Sequence, residues 1–296
     1  CATFDCFCLK TARILMKTAI FSILLLLPAS TIATDTRGSD VDAIFDFIQK
    51  YSDFNLKKDN SPIPEYTKEP TAPNKLLQLD YEGFTVWLDC EKRGAVKFRY
   101  NAQRDTGSFK RSSNFFIDPK VPKKCQQYSG KLYKSKGKRY DRGHLVPANH
   151  LDYSKTAMKA SNTMTTILPQ AENMNRGAWL LTEEIVECYR DIDELLIIGG
   201  VIWGNNPVDD YFVKSHGVRT PDAFWKVIIR GTGQDERAIA WIVPNSQMAN
   251  RKQLDKYLVT IDEIERITGE KIPIADYIKH NKPNRSWMKP RGCNKG

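Results

Sequence analysis

Tyr140-Asp141-Arg142-Gly143-His144-Leu145-Val146 reads as a short strand or turn that sets a charged pair beside an imidazole. Thr165 to Leu168 reads as a second strand, which Pro169 should end because proline brings no N–H to a ladder. Asn175 then opens a helix expected to run to Tyr189, since Ala178, Leu181, Ile185, Val186 and Tyr189 form one apolar face. Asn175, Trp179 and Glu183 recur at every fourth residue, so an amide and a carboxylate should project from a common side of that helix.

Upstream, Phe84 to Cys90 and Ala95 to Tyr100 carry strand signals, with Val96, Phe98 and Tyr100 alternating against Lys97 and Arg99. Asn101 to Arg139 is polar, basic and aperiodic, and is expected to be loop-rich, the kind of segment that carries binding residues on a rigid scaffold. Lys155 to Asn162 predicts a short helix. Downstream, Glu194 to Ile202, Ala223 to Arg230 and Arg237 to Val243 predict strands rich in Ile, Val, Trp and Leu, the first buried on both faces. A last helix starts at Thr260, whose partner Glu263 completes a capping box, and stops at Gly269. The class is α+β, with a central, mostly antiparallel sheet flanked by helices.

The polar residues of these elements suit phosphodiester chemistry. An imidazole titrates close to neutrality, so His144 can take a proton from water. Arg142 can place a fixed charge against a phosphate. A divalent cation would act as Lewis acid and steady the leaving oxygen. Magnesium prefers oxygen ligands and keeps much of its water, which fits one amide oxygen from Asn175 with Glu183 acting through water; manganese fits the same donors. Asp141 is either a carboxylate that orients its neighbours, the favoured reading, or a direct ligand. His150, His216 and His280 read as ordinary polar side chains, and only joint order and spacing set His144 apart.

Asp141-Arg142-Gly143-His144-Leu145, Ala148-Asn149-His150, Leu168-Pro169-Gln170 and Asn175-Arg176-Gly177-Ala178-Trp179 with Glu183 together resemble the DNA/RNA non-specific endonucleases, the ββα-metal nucleases. The likeness extends through Gly199-Gly200, Val218 to Lys226 and the Asp262 to Gly269 helix, covering most of residues 80 to 275. It implies that His144 is the general base, Asn175 the one side chain directly on magnesium, Glu183 a holder of metal-bound water and Arg142 a phosphate contact. It further implies DNA and RNA as substrates, with little sequence preference, and products with 5′-phosphate and 3′-hydroxyl ends. Thr165-Thr166 and Arg176 depart from the common pattern, the latter replacing a frequent glutamine. Ser113 stands where many secreted members carry a phosphate-clamping arginine, which makes Arg111 the substitute. Arg176, Lys138 and Arg139 are expected to contact substrate.

Net charge is +10, yet Glu91 to His150 alone holds sixteen Lys or Arg against four Asp or Glu, so the rest of the chain is slightly acidic. Such a stretch favours a polyanion, in a salt-dependent manner. Two other functions fit the charge. A nucleic-acid-binding protein on the same scaffold without catalysis would need neither His144 nor Asn175, and a binder of acidic polysaccharide or anionic lipid would leave their spacing a coincidence.

Met16-Lys17-Thr18, the apolar run Ala19 to Leu27 and small residues up to Ala33 form a secretory signal pattern, too short for a permanent span. Residues 1–33 are therefore expected to be upstream sequence and leader, 34–78 an N-terminal helix (Val41 to Tyr51) with an extended connector at 56–76, and 79–296 the catalytic domain. The mature form, monomer or homodimer, would be secreted or periplasmic and free of the membrane; a mitochondrial presequence is the alternative. It keeps Cys90, Cys125, Cys188 and Cys293, enough for one or two disulfides in any of three pairings. No Cys-x-x-Cys spacing points to structural zinc.

Overall fold

The computed structural model describes residues 76–294 except Asn206. The expected leader and the helix Val41 to Tyr51 lie outside the described residues, as does all of the connector but Leu76. Six strands, β1 (Leu77–Tyr81), β2 (Phe84–Asp89), β3 (Gly94–Ala102), β7 (Leu195–Ile202), β8 (Ala223–Arg230) and β9 (Arg237–Pro244), form one sheet in that order. Every neighbouring pair in it is antiparallel. A second antiparallel sheet joins β4 (Lys134–Ser135), β5 (Lys138–His144) and β6 (Ile167–Ala171). The helices are α1 (Lys155–Ala160), α2 (Glu172–Met174), α3 (Leu180–Arg190), α4 (Val213–His216), α5 (Ile261–Thr268) and α6 (Asp276–Lys279).

Alternation along β8 shows how the large sheet acquires two covered faces. Phe224 and Ile228 join the core on the side of β5, β6 and α3, whereas Trp225, Val227 and Ile229 join a smaller cluster capped by Ile261 and Ile264 of α5. Each such buried side chain contributes about 1.5–3 kcal/mol against leaving it in water. Lys226 lies on the first of these faces and is fully buried. Gly199 on β7 is required by contact: a Cβ there would fall 2.3 Å from the Phe98 ring. The α5 ends match expectation, with a Thr260–Glu263 capping box and Gly269 at φ 74°.

Three local features differ from the sequence reading. β1 is an additional strand, whose alternate residues Leu77, Leu79 and Tyr81 pack against the core. Pro169 sits inside β6 instead of ending it, opposite Arg142; β6 is an edge strand, where a missing N–H leaves no ladder partner unpaired. The helix starts at Glu172 rather than Asn175, and Asn175–Trp179 forms one wide π-helical turn between α2 and α3. That turn breaks the four-residue spacing, so Trp179 points into the core, fully buried, while Asn175 and Glu183 line a common cavity.

Both cysteine pairs are closed, Cys90 to Cys125 and Cys188 to Cys293, across 35 and 105 residues. The second fastens α3, the helix carrying Glu183, to the C-terminal segment. Reduction of both should lower stability by about 2–4 kcal/mol each through the freed unfolded chain. Thermal melts with and without a phosphine reductant, cysteine state verified by mass, check this; an unmoved midpoint after full reduction would show that the bridges do not stabilise the fold. Among the described residues no helix is long and apolar enough to cross a membrane.

Candidate active site

β5 and β6 pair from Tyr140 with Ala171 to His144 with Ile167, and the helical segment α2 to α3 follows directly. Gly143 lets the strands close: a Cβ there would lie 2.1 Å from the Gln170 side chain. Trp179 anchors the helix beneath the strand end. Its indole N–H donates to the His144 carbonyl at 3.4 Å, and its ring packs against Phe224. Lys226 Nζ lies 3.9 Å from that ring and donates to Thr182 Oγ1 at 2.8 Å, which compensates an otherwise costly buried cation.

His144 is only 7% exposed. Its Nε2 lies 2.8 Å from Asn162 Oδ1, and Asn162 Nδ2 donates to the Ser112 carbonyl, so the amide oxygen must face the ring and accept from Nε2–H. That leaves the lone pair on Nδ1, which Arg111 Nη2 approaches to 3.5 Å. Burial, then the Arg111 charge, lowers the imidazole pKa to about 4, although the Asn162 bond opposes the shift. Arg142 donates from Nη1 to the Gly130 carbonyl at 2.9 Å and lies 3.8 Å over the Phe115 ring, itself beside His144.

Asp141 accepts from Asn175 Nδ2 at 2.9 Å. Because a carboxylate only accepts, the amide nitrogen is committed to it and Asn175 Oδ1 is left as a free acceptor at the cavity. Arg176 donates to both Asp141 oxygens and pairs with Glu172, which in turn pairs with Arg139. Lys138 and Arg139 are exposed at the start of β5 and are not among the cavity-lining residues.

The cavity encloses about 240 Å³ and brings Arg111, Arg142, His144, Asn175, Arg176 and Glu183 together. Glu183 and Glu184 both reach it, but in different states. Glu184 is bound by Arg251 and Lys289, which hold its pKa down at about 2. Burial pushes the Glu183 carboxyl up, and the charges of Lys226 and Arg111 draw it back. Among the described residues no group of three His, Cys, Asp or Glu side chains could hold a metal ion. A hydrated hard cation needs no such group, since one amide oxygen, one carboxylate and water suffice.

His150 is buried, its Nδ1 2.7 Å from the Tyr100 hydroxyl and its Nε2 3.3 Å from Glu187, at the back of the cavity. His216 bonds to the Lys131 carbonyl and so anchors the basic loop, and His280 contacts Asp262 at the surface. Asn162 and Lys226 are the polar residues that the motif reading overlooks. An asparagine just past a helix end looks like a cap, and a lysine in an apolar strand gives no sign of its burial.

A strand pair that sets an oriented imidazole beside a helix presenting an amide oxygen and a carboxylate is the arrangement of the ββα-metal fold. Residues 64–281 match the family described as DNA/RNA non-specific endonuclease, and the chain belongs to that family. It is 28% identical over 191 residues to a nuclease of Nostoc sp., covering 60% of this chain and 64% of the relative. Against the mitochondrial nuclease of Saccharomyces cerevisiae identity is 27% over 185 residues, covering 55% of each. Human mitochondrial endonuclease G is 26% identical over 143 residues, covering 45% of this chain and 48% of the relative. The chain thus spans between about half and just under two thirds of these relatives. The crystal structure of an EndoG/EndoGI complex shares the fold, with TM-score 0.55 at 17% identity, over 76% of this chain and 89% of that one.

Proposed function

We propose that this protein is a secreted, metal-dependent endonuclease that hydrolyses DNA and RNA with little sequence preference. The observation that carries the reading is the juxtaposition of His144, with Nε2 tied to Asn162 and Nδ1 beside Arg111 Nη2 at 3.5 Å, and Asn175, with its amide oxygen left open at the same cavity. His144 Nδ1 takes a proton from water, which attacks phosphorus as the bond to the 3′ oxygen breaks and that oxygen takes up a proton from a second water, leaving 5′-phosphate and 3′-hydroxyl ends. Arg142 and Arg111 set positive charge against the non-bridging oxygens. Asn175 Oδ1 and, through water, Glu183 would hold magnesium or manganese, which supplies Lewis acidity and stabilises the leaving oxygen. Lys138, Arg139 and the rest of the basic stretch bind backbone phosphates, which carry no sequence information directly.

Secretion rests on the leader pattern of residues 16–33 and agrees with two closed disulfides. The mitochondrial names of several relatives support the alternative address. Plasmid DNA and total RNA incubated with the purified protein should both be degraded with magnesium and spared with a chelator. Affinity for DNA, measured in chelator, should fall steeply between low and moderate salt. Equal degradation with and without chelator would refute the metal role, and binding without cleavage under all metal conditions would leave a nucleic-acid-binding protein on the same scaffold.

A further inference from the structure

Arg176, as a cation at the cavity rim, is an obvious phosphate contact. Its geometry says otherwise. Although 62% exposed, the side chain gives Nε and Nη2 to Asp141 at 2.9 and 2.8 Å, and Nη1 lies 2.7 Å from Glu172. Glu172 is held from its other oxygen by Arg139 at 2.9 Å. The result is a ladder, Arg139–Glu172–Arg176–Asp141–Asn175, that links β5 to the helical segment and ends on the carboxamide.

We propose that Arg176 is a positioning residue for the cation site: it fixes Asp141, which in turn keeps the Asn175 nitrogen engaged and the Asn175 oxygen facing the cavity. The inference rests on the proposed metal role of Asn175. Arg176 donates to both oxygens of Asp141 and so holds the carboxylate in place, where its Oδ2 meets Asn175 Nδ2. Without that fork Asp141 is free to turn towards solvent, and the carboxamide loses the bond that tells its oxygen from its nitrogen.

Charge alone predicts the opposite outcome, which makes the test decisive. Removing a cation beside a metal site should tighten metal binding by simple electrostatics, whereas loss of positioning should weaken it. Manganese binding to the whole chain, without nucleic acid, is read from the spectrum of free Mn²⁺ by electron paramagnetic resonance. Arg176→Ala is expected to weaken binding on the order of tenfold, the low end of the cost of losing a partner behind a metal ligand. Arg176→Gln, which can still donate once to Asp141, should fall between Arg176→Ala and wild type, with thermal midpoints alike. In chelator, the salt slope of DNA binding should match wild type, since this guanidinium touches no phosphate.

Unchanged or tighter Mn²⁺ binding by Arg176→Ala would overturn the inference, as would a salt slope reduced by about one, the mark of a lost phosphate contact. Asn175→Ala separates the two levels. If it loses Mn²⁺ while Arg176→Ala does not, the positioning role alone fails; if it binds Mn²⁺ as wild type does, the cation site itself is misplaced and both readings fall.

Discussion

His144→Ala should lower cleavage of DNA and of RNA by at least about a hundredfold and up to about ten-thousandfold, the range of general-base contributions. The loss should appear in kcat at saturating substrate, because Arg142, Arg111 and the basic stretch proposed to bind the backbone remain. The same imidazole sets the acid side of the pH profile. With its pKa lowered to about 4 from 6.5, chiefly by burial and then by Arg111, His144 is a neutral base well below neutrality, so the acid limb of kcat/KM should lie far under pH 6.5. Arg111→Ala removes one of the three lowering causes, leaving burial and the Arg142 charge, and should move that limb upward. Stability follows the same sign. Between pH 6.5 and about 4 the unfolded chain carries this proton and the folded one does not, so the contribution is complete above 6.5 and is lost as pH falls towards 4. Steady-state rates on plasmid and total RNA with a folded His144→Ala protein decide the matter. Undiminished cleavage would remove His144 from the mechanism.

What was legible in the sequence was what local physics writes locally. Alternation places β3, β7, β8 and β9 within a residue or two, and the capping box with its following glycine marks both ends of α5. The pairing of β5 with β6 ahead of the helix, and with it the meeting of His144 and Asn175 at one cavity, was implied by the family resemblance and not by any local pattern. Contacts between distant segments leave no such trace. Asn162 bonds to the His144 ring, Lys226 comes under Trp179 from another strand, and Cys188 meets Cys293 across 105 residues. None of these has a spacing rule. Pro169 shows a subtler failure, because proline excludes a central strand but not an edge, and only the assembled sheet says which β6 is. The wide turn at Asn175–Trp179 fails for a related reason. An α-helical period puts Trp179 beside Asn175, whereas the added residue in the turn buries the indole and leaves the amide at the cavity.

Asn175→Ala should cost about a hundredfold or more in rate at magnesium concentrations that saturate the wild type, since a correctly held cation is worth several kcal/mol of transition-state stabilisation. The reason lies in the asymmetry of the carboxamide. Asp141 takes the nitrogen at 2.9 Å, so the oxygen is the only part of the side chain able to address a cation, and alanine supplies neither end. Among the described residues no other cluster of acids and histidines is built to take over, and Glu184, the other carboxylate near Glu183, is already neutralised by Arg251 and Lys289. Asn175→Asp makes the complementary test. It retains a hard oxygen but sets a second carboxylate against Asp141, whose Oδ2 has lost its amide donor; like charges at that range repel, and one must turn away or take up a proton. Cleavage should therefore fall in Asn175→Asp as well, and the magnesium concentration for half-maximal rate should rise. Rates measured across a magnesium series for both variants, beside wild type and with circular dichroism to verify folding, give the answer. Full activity of Asn175→Ala at wild-type magnesium would mean that the cation is held elsewhere, and the oriented carboxamide would then be a structural bond between β5 and the helix.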